Sequence, residues 1–153
     1  MTAISNDTEF RQALDRLDTI RQRVVAARFV EHVLPLSNDE RLAMVTRTAA
    51  RRDAPDSELV AALGSARAAT FDSHTRCGSE GDWSEQAGYF VARAAAAAVT
   101  PAGQLPGGSA WQAAVASRMA RTCESISQDA AADNPANEEI EAQYSILSEF
   151  LDS

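Results

Sequence analysis

The stretch AGYFVARAAAAAV, residues 87–99, indicates the fold most directly. Its apolar side chains recur at spacings of three and four, which is typical of one face of an α-helix. Every residue from 92 to 98 is Ala except Arg93, so the helix is narrow on all sides. Small side chains let neighbouring helices approach closely. We therefore predict a helix in the alanine-lined interior of a helical bundle, with an inner face of Ala87, Phe90, Val91, Ala94, Ala95 and Ala98.

Towards the N-terminus, the same periodicity predicts one long helix or two shorter ones. Asn6, Asp7 or Thr8 could cap the first helix. The pattern allows a break in this helical run between residues 19 and 25. Pro35 ends the helical run, because the residue before a proline is pushed out of helical geometry. The apolar positions of this run are Phe10, Leu14, Leu17, Val24, Phe29 and Val33.

The next two helices are predicted from their start signals. Ser37 and Glu40 have the spacing of a capping box, in which each side chain binds a free backbone N–H of the first turn. A later helix begins with Pro55 in its first turn, after Asp53 as a candidate cap, and ends near His74. We expect these two helices to bury Leu42, Met44, Val45 and Ala49, and Leu59, Val60, Leu63, Ala66 and Phe71.

The segment 100–108 contains two Pro and three Gly, which predicts a loop. Ser109 is the candidate cap of the helix that follows. The expected inward positions of that helix are Trp111, Val115, Met119, Cys123 and Ile126.

Residues 128–153 are predicted to form an acidic extension that ends in a docked amphipathic helix. Ile140, Tyr144, Leu147 and Leu151 fall on one side of this helix at 100° per residue. Glu138, Glu141, Glu149 and Asp152 fall on the other. No segment of the chain has a strand pattern. The prediction is thus an all-α, single-domain bundle over residues 1–153, with six helices give or take one.

Net charge is divided unevenly along the chain. Residues 1–121 contain fourteen Arg and fourteen acidic residues, whereas residues 122–153 contain eight acidic residues and no base. The net charge of −8 and the scattered Arg residues argue against binding to a nucleic-acid backbone. No apolar run is long enough to span a membrane, and no signal peptide precedes the first helix, so we expect a cytoplasmic protein with reduced cysteines.

Candidate chemical sites are few. A metal site would combine Asp72, His74 and Cys77 with Glu31 and His32, but Asp72 and His74 point about 200° apart on a helix. Cys77 near His74 could be a nucleophile, yet nothing marks an orienting residue or oxyanion donors. We therefore assign no catalytic residue, metal or cofactor.

Partner-binding residues are predicted at two places. The acidic residues Glu138, Glu141, Glu149 and Asp152 form either a solvated helix face or a surface that steers a basic protein. Trp83 and Trp111, each in the first turn of a helix, either anchor a partner or pack within the bundle.

Three segments carry a resemblance to a known family. They are RFVEHVLPL at residues 28–36, AARR at residues 49–52 and SARAA at residues 65–69, which leads to His74. In this order, over about residues 25–123, the chain resembles the immunity proteins of bacterial polymorphic toxin systems. The resemblance implies a cytosolic inhibitor that binds a cognate toxin and performs no chemistry.

Two other functions stay open. One is a small helical-bundle enzyme or ligand-binding domain with a pocket near His32 and His74. The other is a self-associating bundle, which would show a symmetric apolar patch around Trp83 or Trp111. The oligomeric state is not fixed by any of these patterns.

Overall fold

The described part of the chain is built from α-helices and contains no strand, so the all-α prediction is confirmed. The computed structural model describes residues 3–77, 83–127 and 135–153. Within them lie α1 (Asp7–Asp15), α2 (Thr19–Val33), a short 3-10 helix (Leu34–Leu36), α3 (Glu40–Ala50), α4 (Asp56–Cys77), α5 (Trp83–Ala98), α6 (Ser109–Ser127) and α7 (Pro135–Asp152). No helix among these residues is both long enough and apolar enough to cross a membrane.

Helix α5 lies at the centre of the bundle. It packs most extensively against α6 and α4, and it also contacts α2 and α3. Five of its six predicted inner residues are buried, and Phe90 is half-buried. Ala92 and Ala97 are buried as well, so the helix is enclosed on most of its circumference. The expectation of close packing around an alanine-rich helix is confirmed by the contacts of α5 with four other α-helices. Small side chains allow helices to approach this closely.

The N-terminal run is divided into two helices, but the break lies earlier than predicted. Asn6 caps α1 by accepting a hydrogen bond from the Glu9 N–H. Asp18 caps α2 by accepting one from the Arg21 N–H at 2.8 Å. The break at residues 16–18 therefore follows from an Asp at a cap position, where its side chain replaces a missing backbone partner.

Three predicted helix starts need correction. The N-cap of α3 is Asp39, whose carboxylate accepts from the Arg41 N–H at 3.0 Å, and the Ser37 hydroxyl instead accepts from the Asp39 N–H. The Ser37–Glu40 capping box is therefore wrong. Asp53 does not cap α4: its carboxylate pairs with Arg51, and the Pro55 carbonyl accepts from the amides of residues 58 and 59 at the helix start. Ser109 does not cap α6. It is the first helical residue, and the carbonyl of residue 108 accepts from the amide of residue 112.

The predicted inner faces of three helices are partly wrong. Met44 of α3 is exposed, as are Val60 and Phe71 of α4 and Met119 and Ile126 of α6. The buried positions of α6 are instead mostly small, because this helix packs closely against α5. They are Ala110, Ala113, Ala114, Ala116, Ser117, Ala120 and Cys123.

The loop predicted between α5 and α6 is confirmed, and two of its glycines combine a positive φ with close neighbours. Gly107 has φ +77°, and a Cβ there would lie 2.6 Å from Cδ1 of Trp111. Gly108 has φ +94°, and a Cβ would lie 2.8 Å from Oε1 of Gln22. Positive φ is the region that glycine occupies at little cost. A turn-rich loop is also predicted at residues 77–82, but Cys77 is the last residue of α4, and residues 78–82 lie outside the described residues. Residues 128–134 of the predicted polar stretch 128–137 lie outside them as well.

Candidate functional site

Helix α7 is held against the bundle through a buried carboxylate, that of Glu139, which is 1% exposed. Nδ1 of His32 lies 2.8 Å from Oε2 of Glu139. Nε of Arg121 donates to Oε1 at 3.0 Å. Because His32 belongs to α2 and Arg121 to α6, this one carboxylate joins three helices.

Arg121 extends the same cluster. Its Nη1 donates to Glu124 at 3.0 Å, and its Nη2 donates to the carbonyl of His32 at 3.3 Å. Burial lowers the pKa of Arg121, but the hydrogen bonds to Glu139 and Glu124 outweigh burial and raise that pKa. The guanidinium therefore stays charged and supplies the cation that a buried carboxylate requires.

A second cluster fastens α7 one turn further along. Arg118 binds both oxygens of Asp7 at 3.0 Å and donates through Nε to Gln143 at 2.8 Å. The hydroxyl of Tyr144 donates to Asp7 at 2.8 Å, and Gln143 donates to the carbonyl of Ala114. The hydrogen bonds from Arg118 are the main reason that the pKa of Asp7 is lowered. Burial, followed by the bond to Asp7, raises the pKa of Tyr144 to about 12.

These two clusters change the predicted inner face of α7. The fully buried residues are Glu139, Gln143, Leu147 and Phe150, whereas Ile140, Tyr144 and Leu151 are half-buried. The buried set recurs at spacings of four, four and three, which is helical, but two of its members are polar. The partners of Glu139 and Gln143 lie far away in the sequence. A pattern based on apolar residues therefore did not predict that these two residues are buried.

The four predicted acidic residues of α7 are all exposed. Glu138, Glu141, Glu149 and Asp152 fall within an arc of about 80° at 100° per residue, on the opposite side from the buried set. The first three form no ion pair with any residue in the described ranges. We call these four residues the acidic face.

The two tryptophans occupy different surroundings. Trp83 is the first residue of α5 and is 45% exposed. Trp111 is half-buried, with the guanidinium of Arg11 at 4.6 Å and that of Arg118 at 5.3 Å from its ring centroid. Its ring also contacts Phe10 edge-on at 6.2 Å. Trp111 therefore packs within the bundle, and Trp83 presents almost half of its surface.

The two histidines line different clefts. His32 lies in a shallow one with Arg28, Glu31 and Glu149, whereas His74 lies in a cleft between α4, α5 and α6. Asp72 is engaged by Arg41 at 2.9 Å. Among residues 3–77, 83–127 and 135–153, no group of three or more His, Cys, Asp or Glu could hold a metal ion. Cys123 is buried, and the side chain of Cys77 lies outside the described part.

Comparison with protein-family models, with curated proteins and with solved structures finds no match to this chain. Function is therefore inferred from the residues described above.

Proposed function

We propose that this chain is a helical protein-binding module of the immunity type, which neutralises a basic toxin by direct contact. The observation that carries the proposal is the acidic face, four exposed acidic residues on a helix whose opposite side is buried. A basic surface on the partner, such as the cationic site of a nuclease, would complement it. Complementary charge of this kind raises the rate of association and excludes partners of like charge.

Near Glu138 and Glu141 the cations of α6 leave this negative charge in place, whereas Glu149 lies in the same cleft as Arg28. Arg118 and Arg121, the two cations of α6, bind Asp7, Glu124 and Glu139. Because these guanidinium groups already have carboxylate partners, little positive charge remains next to Glu138 and Glu141 to offset the field of the acidic face.

The acidic face is also presented by a fixed helix. Glu139 and Gln143 anchor α7 through hydrogen bonds to α2 and α6. A helix that is already ordered loses less conformational entropy when a partner binds than a flexible tail would lose. The acidic residues at the two ends of the face, residues 138 and 152, are about 21 Å apart along the helix axis. This length suits contact with a protein surface.

The test is binding to a toxin domain encoded next to the gene for this chain, in a catalytically inactive form. We expect a one-to-one complex by calorimetry and restored growth when the active toxin is co-expressed with this chain. The variant E138Q/E141Q/E149Q/D152N should bind more weakly and restore growth poorly, because it removes the complementary charge.

The matched control is D15N/E40Q/D53N/E58Q, which changes the net charge by the same amount at exposed residues of other helices and loops. It should bind and protect like the unmodified chain. If both variants protect equally well, or if the unmodified chain neither binds nor protects, the proposed function is wrong.

A further inference from the structure

A cleft between α4, α5 and α6 has a volume of about 580 Å³. One stripe of α4 forms one wall, through Arg67, Thr70, Phe71 and His74 at helical spacing. Ala96 and Ala97 of α5 form the floor, and α6 forms the other wall. The alanines leave space between the larger side chains of the two walls.

Apolar side chains at its rim are left open to solvent. Phe71 is 70% exposed, and Met119 on the facing wall is 44% exposed. Two threonine hydroxyl groups of the lining already donate, Thr70 to the carbonyl of Ala66 at 2.8 Å and Thr100 to that of Ala96 at 2.7 Å. The lining combines the exposed apolar side chains with the polar groups of Tyr89, Gln104 and Gln112.

The charge in this cleft is positive, although the whole chain carries −8. Arg67, Arg93 and His74 line it, and among the described residues of its lining there is no carboxylate. Arg93 lies 5.8 Å above the rings of Tyr89 and Phe90. Within the described ranges neither Arg67 nor Arg93 forms an ion pair, whereas Arg41, Arg51, Arg118 and Arg121 all do.

We propose that this cleft binds a small organic anion with an apolar body and an acidic head group, such as a carboxylate. The apolar body would cover Phe71, Met119 and the alanine floor, and the head group would lie between Arg67 and Arg93. A guanidinium offers a carboxylate directional, charge-assisted hydrogen bonds. The acidic face of α7 plays no part in this site.

The size of the cleft suits a small molecule. Its volume of about 580 Å³ lies within the range of about 300–1,000 Å³ that is typical of clefts enclosing small ligands.

The test uses dodecanoate below its micelle concentration as the probe, with dodecyltrimethylammonium as a ligand of the same tail and opposite charge. We expect saturable, one-to-one binding of dodecanoate by calorimetry. Amide shifts in NMR spectra should cluster at Thr70, Ala97 and Val115. The cationic ligand should bind at least about tenfold more weakly, because charged hydrogen bonds contribute that much or more.

The variant R67Q/R93Q replaces two exposed side chains and should keep the helical circular dichroism of the unmodified chain. Its affinity for dodecanoate should fall at least about tenfold. The control R47Q/R52Q removes two exposed cations elsewhere and should bind as before. Equal binding of both ligands, shifts outside the cleft, an unchanged R67Q/R93Q variant or no saturable binding would each overturn the proposal.

Discussion

Glu139 and Glu138 are adjacent acidic residues with opposite surroundings. Glu138 is exposed, whereas Glu139 is buried and contacts His32 and Arg121. A buried charge is tolerated only when it is paired and hydrogen-bonded, and removing one partner leaves the others without compensation. At the residue scale, Glu139 is therefore one of the polar anchors of α7, together with Gln143.

We expect E139A to lower the free energy of unfolding by about 3 kcal/mol, since it leaves Arg121 and His32 without their shared partner. The measurement is urea denaturation followed by circular dichroism. E138A is the matched control and should change stability by about 0.5 kcal/mol or less. Equal losses for the two variants would show that Glu139 does not anchor α7.

Gly107 is the second residue whose surroundings decide what can replace it. In G107A the new methyl group would meet Trp111 at 2.6 Å, whereas in G103A, also at positive φ, it would meet nothing within 4 Å. Both variants carry the same backbone strain and the same effect on the unfolded chain. We expect G107A to lose about 1–3 kcal/mol more than G103A, because only its methyl group clashes. Thermal unfolding of the pair measures this difference, and similar midpoints would contradict the packing described for Trp111.

At the scale of helices, α1, α6 and α7 are joined through Asp7. Its carboxylate accepts from Arg118 of α6 and from Tyr144 of α7. The pKa of Asp7 is lowered in the folded chain, mainly by the hydrogen bonds from Arg118. As the pH falls, the unfolded chain therefore takes up this proton before the folded chain does.

This order fixes the sign of the pH dependence. The contribution of Asp7 to stability is fully present above its ordinary value of 3.8, and it is lost as the pH falls through the lower pKa of the folded chain. We expect D7N to be less stable at neutral pH and to show a smaller loss of stability on acidification. Denaturant titrations between neutral and acidic pH measure the slope. A D7N slope equal to that of the unmodified chain would contradict the assignment.

Helical periodicity predicted the fold class, but not which face of each helix is buried. Around α5 the prediction succeeded because its alanines are buried on most sides. On α4 and α6 it selected the large residues Phe71 and Met119, which the structure leaves exposed at the rim of the cleft. Small residues face α5 there, since closely packed helices exclude bulky side chains. Tertiary contact, rather than hydropathy, decides these faces.

The buried face of α7 was not predicted, and the reason differs from that for α4 and α6. The burial of Glu139 depends on His32 and Arg121, which approach it only in the folded chain. The acidic face, in contrast, follows from helical spacing alone and lies on the exposed side as expected. A polar residue in an inner face becomes recognisable only when its partner is known.

At the scale of the whole molecule, α6 separates two surfaces of opposite charge. Its residues Val115, Ala116 and Met119 line the cationic cleft, while Ala114, Arg118 and Arg121 face α7. The proposed toxin surface on α7 and the proposed anion site therefore lie on different sides of α6. Variants of one surface leave the residues of the other unchanged, so the two proposals can be tested separately.

We propose that the acidic face steers a basic partner towards this chain. The most direct measurement is the rate constant for association with the inactive cognate toxin domain, followed by stopped-flow fluorescence over a range of ionic strength. For the unmodified chain and for D15N/E40Q/D53N/E58Q we expect a fast rate that falls steeply with salt. For E138Q/E141Q/E149Q/D152N we expect a rate roughly tenfold or more lower at low salt, with a flatter salt dependence. The same rate and the same salt dependence for all three proteins would contradict the account.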